Sequence, residues 1–174
     1  SRWDYAKRLN MELSRKIAAE ITKYAAEYQA GVIVFEYLEM QGKISGKKKQ
    51  KLHLWRKRDI QKLCEHQAHR NRIRVSRVSA RNTSRLACDG SGAVVRNPEN
   101  HSLCIFQTGK QYNCDLSATY NIGARYFIRE LLKPLPETER SSLEAKVPVV
   151  KRRTSCVYAD LRKLYVEVNN LKAA

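Results

Sequence analysis

Two acidic residues are the strongest candidates for chemistry in this sequence. Glu36 interrupts the run VIVFEYL at residues 32–38, which is otherwise apolar or aromatic. A carboxylate buried in such a run is normally paired, protonated or bound to a metal ion. Asp115 stands at the start of an amphipathic segment much later in the chain. Because carboxylates from distant segments can bind the divalent ions that cleave phosphodiesters, Glu36 and Asp115 are candidate ligands of a shared divalent metal ion.

Both carboxylates also have simpler interpretations. Glu36 could form an ion pair with a nearby lysine or arginine. Asp115 could cap the N-terminus of the helix that follows it. The sequence leaves these alternatives open beside the metal site.

The charge of the chain points to a polyanionic partner. Lys and Arg number 34 against 17 Asp and Glu, which gives a formal net charge of +17. Nucleic acid is the commonest partner of so basic a chain, with a soluble basic protein or a ribosomal-type tail as alternatives. Contacts to the phosphate backbone are expected rather than base reading. The candidate contacts are Lys47, Lys48, Lys49, Lys51, Arg56, Arg58, Arg70, Arg74, Arg77, Arg81, Thr83, Ser84 and Arg85. Thr83 and Ser84 could instead shape a turn.

An α/β arrangement is predicted to position these residues. Tyr5, Leu9, Leu13, Ile17, Ile21 and Tyr24 recur at helical spacing and predict the core face of a first helix. The apolar run around Glu36 is typical of a strand in the middle of a sheet. In chain order we expect a helix over 4–30, a strand over 32–38, a helix over 52–73, a strand over 73–78, a loop-and-hairpin insert over 79–113, a helix from 115 whose apolar positions include Leu116, Tyr120, Phe127 and Leu132, a short helix over 137–145 and a last helix over 156–171.

The order of these segments resembles the RuvC-type nuclease domain of TnpB (transposon OrfB-type) proteins and their relatives, the type V CRISPR effectors. VIVFEYL resembles the second RuvC motif, which ends in a catalytic Glu, here Glu36. LHLWRKRDIQKLCEHQA resembles the tryptophan-containing helix that follows, and RVSRVSARNTSRLACDGSG the next strand and first zinc-ribbon knuckle. YNCDLSATYNIGAR resembles the third motif, with Asp115 as the catalytic Asp and Asn121 and Ile122 completing the pattern.

The resemblance implies a partial RNase H-like (RuvC) domain with a small inserted β-hairpin lobe like a zinc ribbon. It divides the chain into a RuvC-like segment (1–79), the insert (80–114), the third-motif helix (115–135) and a helical tail (136–174). In the family, two Mg²⁺ ions held by three carboxylates hydrolyse DNA. The implied function is therefore that of a transposon-associated DNA endonuclease in a prokaryotic cytoplasm, associated with the nucleoid, with DNA and a guide-type RNA as partners and no membrane.

Two departures from the family pattern modify that expectation. No strand carrying the family's first catalytic Asp is found, so the chain resembles a C-terminal portion, and a non-catalytic DNA- or RNA-binding protein is the alternative function. In the zinc ribbon, Ser91 and Gln107 occupy positions where the family has cysteine, which leaves Cys88 and Cys104 as vestigial ligands. Since structural zinc needs four good ligands, we expect a zinc-free lobe. A site built from Cys88, His101, Cys104 and Cys114 is the alternative.

Overall fold

Helices and short strands alternate along the chain in a computed structural model that describes residues 2–37 and 57–173. The elements are α1 (Arg2–Glu27), β1 (Val32–Tyr37), α2 (Lys57–Arg70), β2 (Arg74–Ser79), β3 (Val95–Arg96), β4 (Leu103–Ile105), β5 (Gln111–Asn113), α3 (Cys114–Leu132), α4 (Glu137–Lys146), a 3₁₀ helix (Pro148–Lys151) and α5 (Tyr158–Ala173). The predicted α/β class is confirmed to the extent that helices and strands are mixed.

The described residues divide into two compact units. The first contains residues up to Phe35 and residues 57–76, and the second contains Glu36, Tyr37 and residues from Arg77 onward. β1 and β2 form a two-stranded sheet, and β3, β4 and β5 form a three-stranded sheet. Within residues 2–37 and 57–173, no helix is both long enough and apolar enough to span a lipid bilayer.

In the first unit, α1 packs on α2 through a row of small side chains. Ser14, Ala18 and Thr22 are almost fully buried. The Cys64 thiol of α2 lies 3.8 Å from the Ala18 carbonyl oxygen, to which it donates. Small residues allow two helix backbones to approach closely, because ridges and grooves then interlock with little side-chain bulk between them.

The predicted core face of α1 is wrong. The row predicted to be buried is exposed along most of its length: Tyr5 64%, Leu9 57%, Leu13 54%, Ile17 36% and Tyr24 62%. Each residue of the buried row follows one of the apolar row by one position, as Ala18 follows Ile17. One position turns the helix by about 100°. The helix therefore buries the neighbouring face, which carries the small residues. The periodicity of the large apolar residues predicts the wrong face to be buried.

β1 is also less buried than predicted. Residues 32–36 are all half-buried, although the sequence indicates a strand in the middle of a sheet. Among the described residues the sheet has only one other strand, β2, so one edge of β1 has no strand paired with it there. Ile33 packs on a small core that contains Ala25, Ala68 and Ile73.

The second unit contains the predicted insert and the C-terminal helices. β4 pairs antiparallel with both β3 and β5, with Cys104 opposite Arg96 and Tyr112. This confirms the expected hairpin lobe between residues 79 and 113. A separate apolar core joins α3, α4, the 3₁₀ helix and α5; its fully buried members are Ile128, Leu132, Leu143, Val150, Cys156 and Leu164.

The apolar pattern of α3 is only partly buried. Leu132 lies in the core as predicted, but Leu116, Tyr120 and Phe127 are 53%, 45% and 53% exposed. The face that α3 buries instead carries Ser117, Asn121, Arg125, Ile128 and Leu132. These residues recur every three or four positions, so the N-terminal half of the buried face is polar.

Candidate functional site

Glu36 lies near the end of β1, where its carboxylate is held by a threonine from the loop after β2. The Thr83 hydroxyl donates to Glu36 Oε1 at 2.5 Å and lies 3.0 Å from the Ala80 carbonyl oxygen. Thr83 is only 2% exposed. A hydroxyl with these partners is not presented to a phosphate, so the turn-shaping alternative describes Thr83 better than phosphate contact.

Asn121 ties this loop to α3 and to the start of α5. The side chain is fully buried. Its Nδ2 donates to the carbonyl oxygens of Thr83 at 3.0 Å and Leu86 at 2.8 Å. Its Oδ1 accepts from the Tyr158 backbone N–H at 3.1 Å. The amide therefore pairs with two backbone groups of the loop after β2 and one at the first residue of α5, as a buried polar side chain must.

Arg125 follows Asn121 by one helical turn and is the most deeply buried charge near Glu36. Its Nε donates to the Cys156 carbonyl oxygen at 3.1 Å, and its Nη1 donates to the Ser79 carbonyl oxygen at 2.6 Å. Its Nη2 has no partner among the described residues. Burial lowers the pKa of Arg125, while Cys156 and Glu36 oppose that shift electrostatically. Glu36 therefore attracts Arg125 electrostatically, while both hydrogen bonds of the guanidinium go to backbone carbonyl oxygens.

Asp115 lies in the first turn of α3 and is exposed. It is not the cap of that helix: the Asn113 side chain accepts from the backbone N–H groups of Asp115 at 2.9 Å and Leu116 at 3.0 Å. Ser117, two residues later, is about 200° further round the helix. Asp115 therefore projects away from the buried polar face of α3. It takes part in none of the hydrogen bonds that link Glu36, Thr83 and Asn121.

The sites predicted to bind divalent metal are thus placed in different surroundings. Glu36 is half-buried and accepts a hydrogen bond from Thr83, and Asp115 is exposed at a helix start. Within residues 2–37 and 57–173, no group of three or more His, Cys, Asp or Glu side chains is placed to hold a metal ion. The described residues alone do not make up a two-metal centre, because such a centre needs several carboxylates facing a common point.

The predicted phosphate contacts are mostly exposed where the structure describes them. Lys47, Lys48, Lys49, Lys51 and Arg56 lie outside the described residues. The exposed members are Arg58, Arg70, Arg74, Arg81, Ser84 and Arg85. Arg77 is half-buried, and its carbonyl oxygen accepts from Arg129 Nη1 at 3.2 Å.

The lobe predicted to resemble a zinc ribbon brings three cysteines together. Cys104 and Cys114 are buried in one cluster, with Cys88 packed against it. Burial, with the neighbouring Cys114 thiol, raises the pKa of Cys104 to about 11. His101, the fourth member of the alternative zinc site, is exposed on the turn before β4. Phe106 completes the cluster, so the lobe has an apolar centre of its own.

Ser91 and Gln107, which the resemblance places at cysteine positions, differ in their surroundings, since Gln107 is exposed and Ser91 is half-buried. The Ser91 hydroxyl oxygen is buried and has no partner among the described residues. A Cβ added at Gly92 would lie 2.6 Å from Gln107 Nε2, and Gly92 has φ +121°. The positive φ therefore favours glycine at this position, while the end of the flexible Gln107 side chain could move away from a Cβ.

Sequence reasoning missed two members of the network, Ser117 and Arg125. The Ser117 hydroxyl oxygen accepts from the Cys88 backbone N–H at 3.1 Å and joins α3 to the lobe. The signal that could have found them is the spacing of Ser117, Asn121 and Arg125 at four-residue intervals, which places three polar residues on one helical face. An interpretation guided by apolar periodicity assigns that face to solvent.

Compared with models of known protein families and with the sequences of curated proteins, the chain matches none.

Proposed function

We propose that this chain binds nucleic acid, mainly through contacts to phosphate. The observation that carries the proposal is a long acid-free stretch: between Glu65 and Asp89 the sequence contains six arginines and no Asp or Glu. Arg70 and Arg74 are exposed in the first unit, and Arg81 and Arg85 in the second. Cations concentrated in one stretch of sequence repel one another, and a polyanion bound against them relieves that repulsion. In keeping with the RuvC resemblance, DNA is the proposed partner and a guide-type RNA the second.

Salt dependence tests this proposal. Four phosphate contacts would reduce the affinity for duplex DNA about 150-fold between 50 and 200 mM salt, because each contact releases counterions. We expect the double variant Arg81→Ala/Arg85→Ala to reduce the slope of log affinity against log salt by about two. Its matched control is Lys163→Ala/Lys172→Ala, which removes two exposed charges from α5 and should leave the slope unchanged. Fluorescence anisotropy with a labelled duplex measures both.

An affinity that does not respond to salt would contradict phosphate-dominated binding. An equal loss of slope in the α5 control would show that overall charge, and not the arginine-rich stretch, is responsible. Circular dichroism of each variant establishes that the helices are intact before the affinities are compared.

Metal-dependent hydrolysis of DNA, as in a RuvC-type nuclease, is the second candidate function. Two observations favour it, because each candidate carboxylate lies on the kind of element that the resemblance implies. Glu36 is on a strand, and Asp115 is in the first turn of a helix after the inserted lobe. Mg²⁺ or Mn²⁺ bound by these carboxylates would polarise the phosphodiester and its attacking water. The Arg125 guanidinium near Glu36 favours instead the non-catalytic alternative, because a fixed positive charge opposes the binding of a divalent cation.

A nicking assay separates the catalytic and non-catalytic alternatives. Supercoiled DNA is incubated with the chain and Mn²⁺ or Mg²⁺, using Glu36→Gln and Asp115→Asn as test variants and Glu99→Gln, an exposed acid of the lobe, as the control. Metal-dependent nicking lost in both test variants and kept in the control supports hydrolysis at this site. Nicking that persists in Glu36→Gln shows that the site is assigned wrongly, and binding without nicking supports the non-catalytic function.

A further inference from the structure

A row of tyrosine rings on the second unit has no role in the network around Glu36. Tyr120 of α3 is 45% exposed, and Tyr158 at the start of α5 is 37% exposed. Their ring centroids lie 5.2 Å apart with an angle of 50° between the planes. Burial and the nearby Tyr120 hydroxyl raise the pKa of Tyr112 of β5, which continues the row into the lobe. We call Tyr112, Tyr120 and Tyr158 the tyrosine row.

The tyrosine row is held rigidly from behind. Tyr112 packs against Phe106, with ring centroids 5.7 Å apart, and Phe106 is only 3% exposed. The backbone N–H of Tyr158 donates to Asn121 Oδ1. Tyr120 lies one residue before Asn121 on α3. Rigid aromatic rings lose little conformational entropy when a ligand packs on them, which suits them to binding.

The rings of Tyr120 and Tyr158 are partly exposed to a planar ligand. Tyr120 and Tyr158 are tilted rather than stacked face to face, so neither ring fully covers the other. Leu116, one helical turn before Tyr120, is 53% exposed and extends the apolar surface. Exposed aromatic rings that are grouped together, rather than scattered singly, indicate a binding surface.

Charge identifies the kind of ligand. Lys110 Nζ lies 4.7 Å from the centroid of the Tyr112 ring, which places an exposed cation at one end of the row. The chain as a whole carries a net charge of +17. Flat rings beside cations fit a ligand that is both aromatic and anionic. Nucleotides with unpaired bases have this combination, because a base in a duplex is already stacked on its neighbours and hides its faces.

We propose that the tyrosine row is a stacking surface for the unpaired bases of single-stranded nucleic acid, with Lys110 contacting the adjacent phosphate. This inference rests on the proposed function, since it assigns the single-stranded ligand to a chain that binds nucleic acid. DNA and RNA offer the same chemistry here, and the test distinguishes them.

The test compares a labelled 15-nucleotide oligo-dT, the corresponding oligo-U and a duplex of the same length at 50 mM salt. In Tyr120→Leu/Tyr158→Leu we expect at least a tenfold loss of affinity for one or both single strands and less than a twofold change for the duplex. Whichever single strand loses more identifies DNA or RNA as the source of the base. Tyr120→Phe/Tyr158→Phe keeps the rings and should keep at least a third of the affinity.

The matched control is another pair of exposed tyrosines in contact. Tyr24 and Tyr28 of α1 have ring centroids 4.5 Å apart and are 62% and 69% exposed. Tyr24→Leu/Tyr28→Leu should leave single-strand affinity unchanged. An equal loss in this control would show that tyrosine content, and not the tyrosine row, matters.

The remaining outcomes separate failure of this inference from failure of the proposed function. If the Leu variant binds single strands as well as the unaltered chain, or loses duplex affinity equally, the stacking surface is refuted while nucleic-acid binding stands. The same conclusion follows if the Phe variant loses as much affinity as the Leu variant, because hydrogen bonding would then replace stacking. If the chain self-associates and only the Leu variant is monomeric, the row is a protein interface. If the unaltered chain binds neither single strand nor duplex, both proposals fail.

Discussion

Removal of the Asn121 amide should destabilise the second unit more than any other single truncation of a polar side chain on α3. The Asn121→Ala variant leaves the carbonyl oxygens of Thr83 and Leu86 and the N–H of Tyr158 without their partner. A buried backbone group that loses its partner costs about 1–2 kcal/mol. Three such groups give a loss of about 3–6 kcal/mol, a large part of the roughly 5–15 kcal/mol that stabilises a typical domain.

Urea denaturation followed by circular dichroism measures this loss. With a slope of about 2 kcal/mol per molar urea, the midpoint should fall by about 1.5–3 M. Asn169→Ala is the control, since this asparagine is exposed on α5 and its removal should change stability by less than about 0.5 kcal/mol. A midpoint shift below about 0.5 M for Asn121→Ala would refute the view that its hydrogen bonds hold the loop and α5 in place.

The cysteines give two further predictions. Under native conditions at pH 8, iodoacetamide should modify the half-buried Cys88 first. Cys104 and Cys156 are fully buried and have pKa values raised to about 11, so about 0.1% of each is thiolate at that pH. Peptide mass spectrometry measures the order of labelling, and equal labelling of all three cysteines would contradict the prediction. The same raised pKa values mean that these thiols ionise near pH 9 in the unfolded chain but only near pH 11 in the folded chain. Their contribution to the stability of the fold is therefore complete below pH 9 and is lost as the pH rises from 9 to 11. Denaturation midpoints under reducing conditions at pH 8, 9, 10 and 11 test this, and an unchanged midpoint would contradict it.

The sequence predicts the elements of this chain well and their buried faces poorly. α1, β1, β2 and the lobe begin and end within a few residues of the predicted positions because apolar periodicity and turn residues report local conformation directly. The choice of face depends on the partner helix. Ala18 of α1 is fully buried against α2, whereas Ile17 is 36% exposed. The local sequence of α1 does not encode that α2 packs against its small residues.

The candidate site was predictable to a similar extent. Glu36, which the sequence singles out by its position in an apolar strand, accepts a hydrogen bond from Thr83. Its partner Thr83 and its neighbour Arg125 come from segments far along the chain, and their convergence follows from tertiary structure. Whether Asp115 shares a metal ion with Glu36 stays a prediction.

The guanidinium of Arg125 has a consequence for how the fold tolerates the loss of a metal. A group of carboxylates assembled around divalent ions repels itself when the ions are removed by a chelator, and the fold then weakens. Here a guanidinium near Glu36 belongs to the polypeptide and is anchored at the Ser79 and Cys156 carbonyl oxygens. A chelator would leave this charge and its two hydrogen bonds in place.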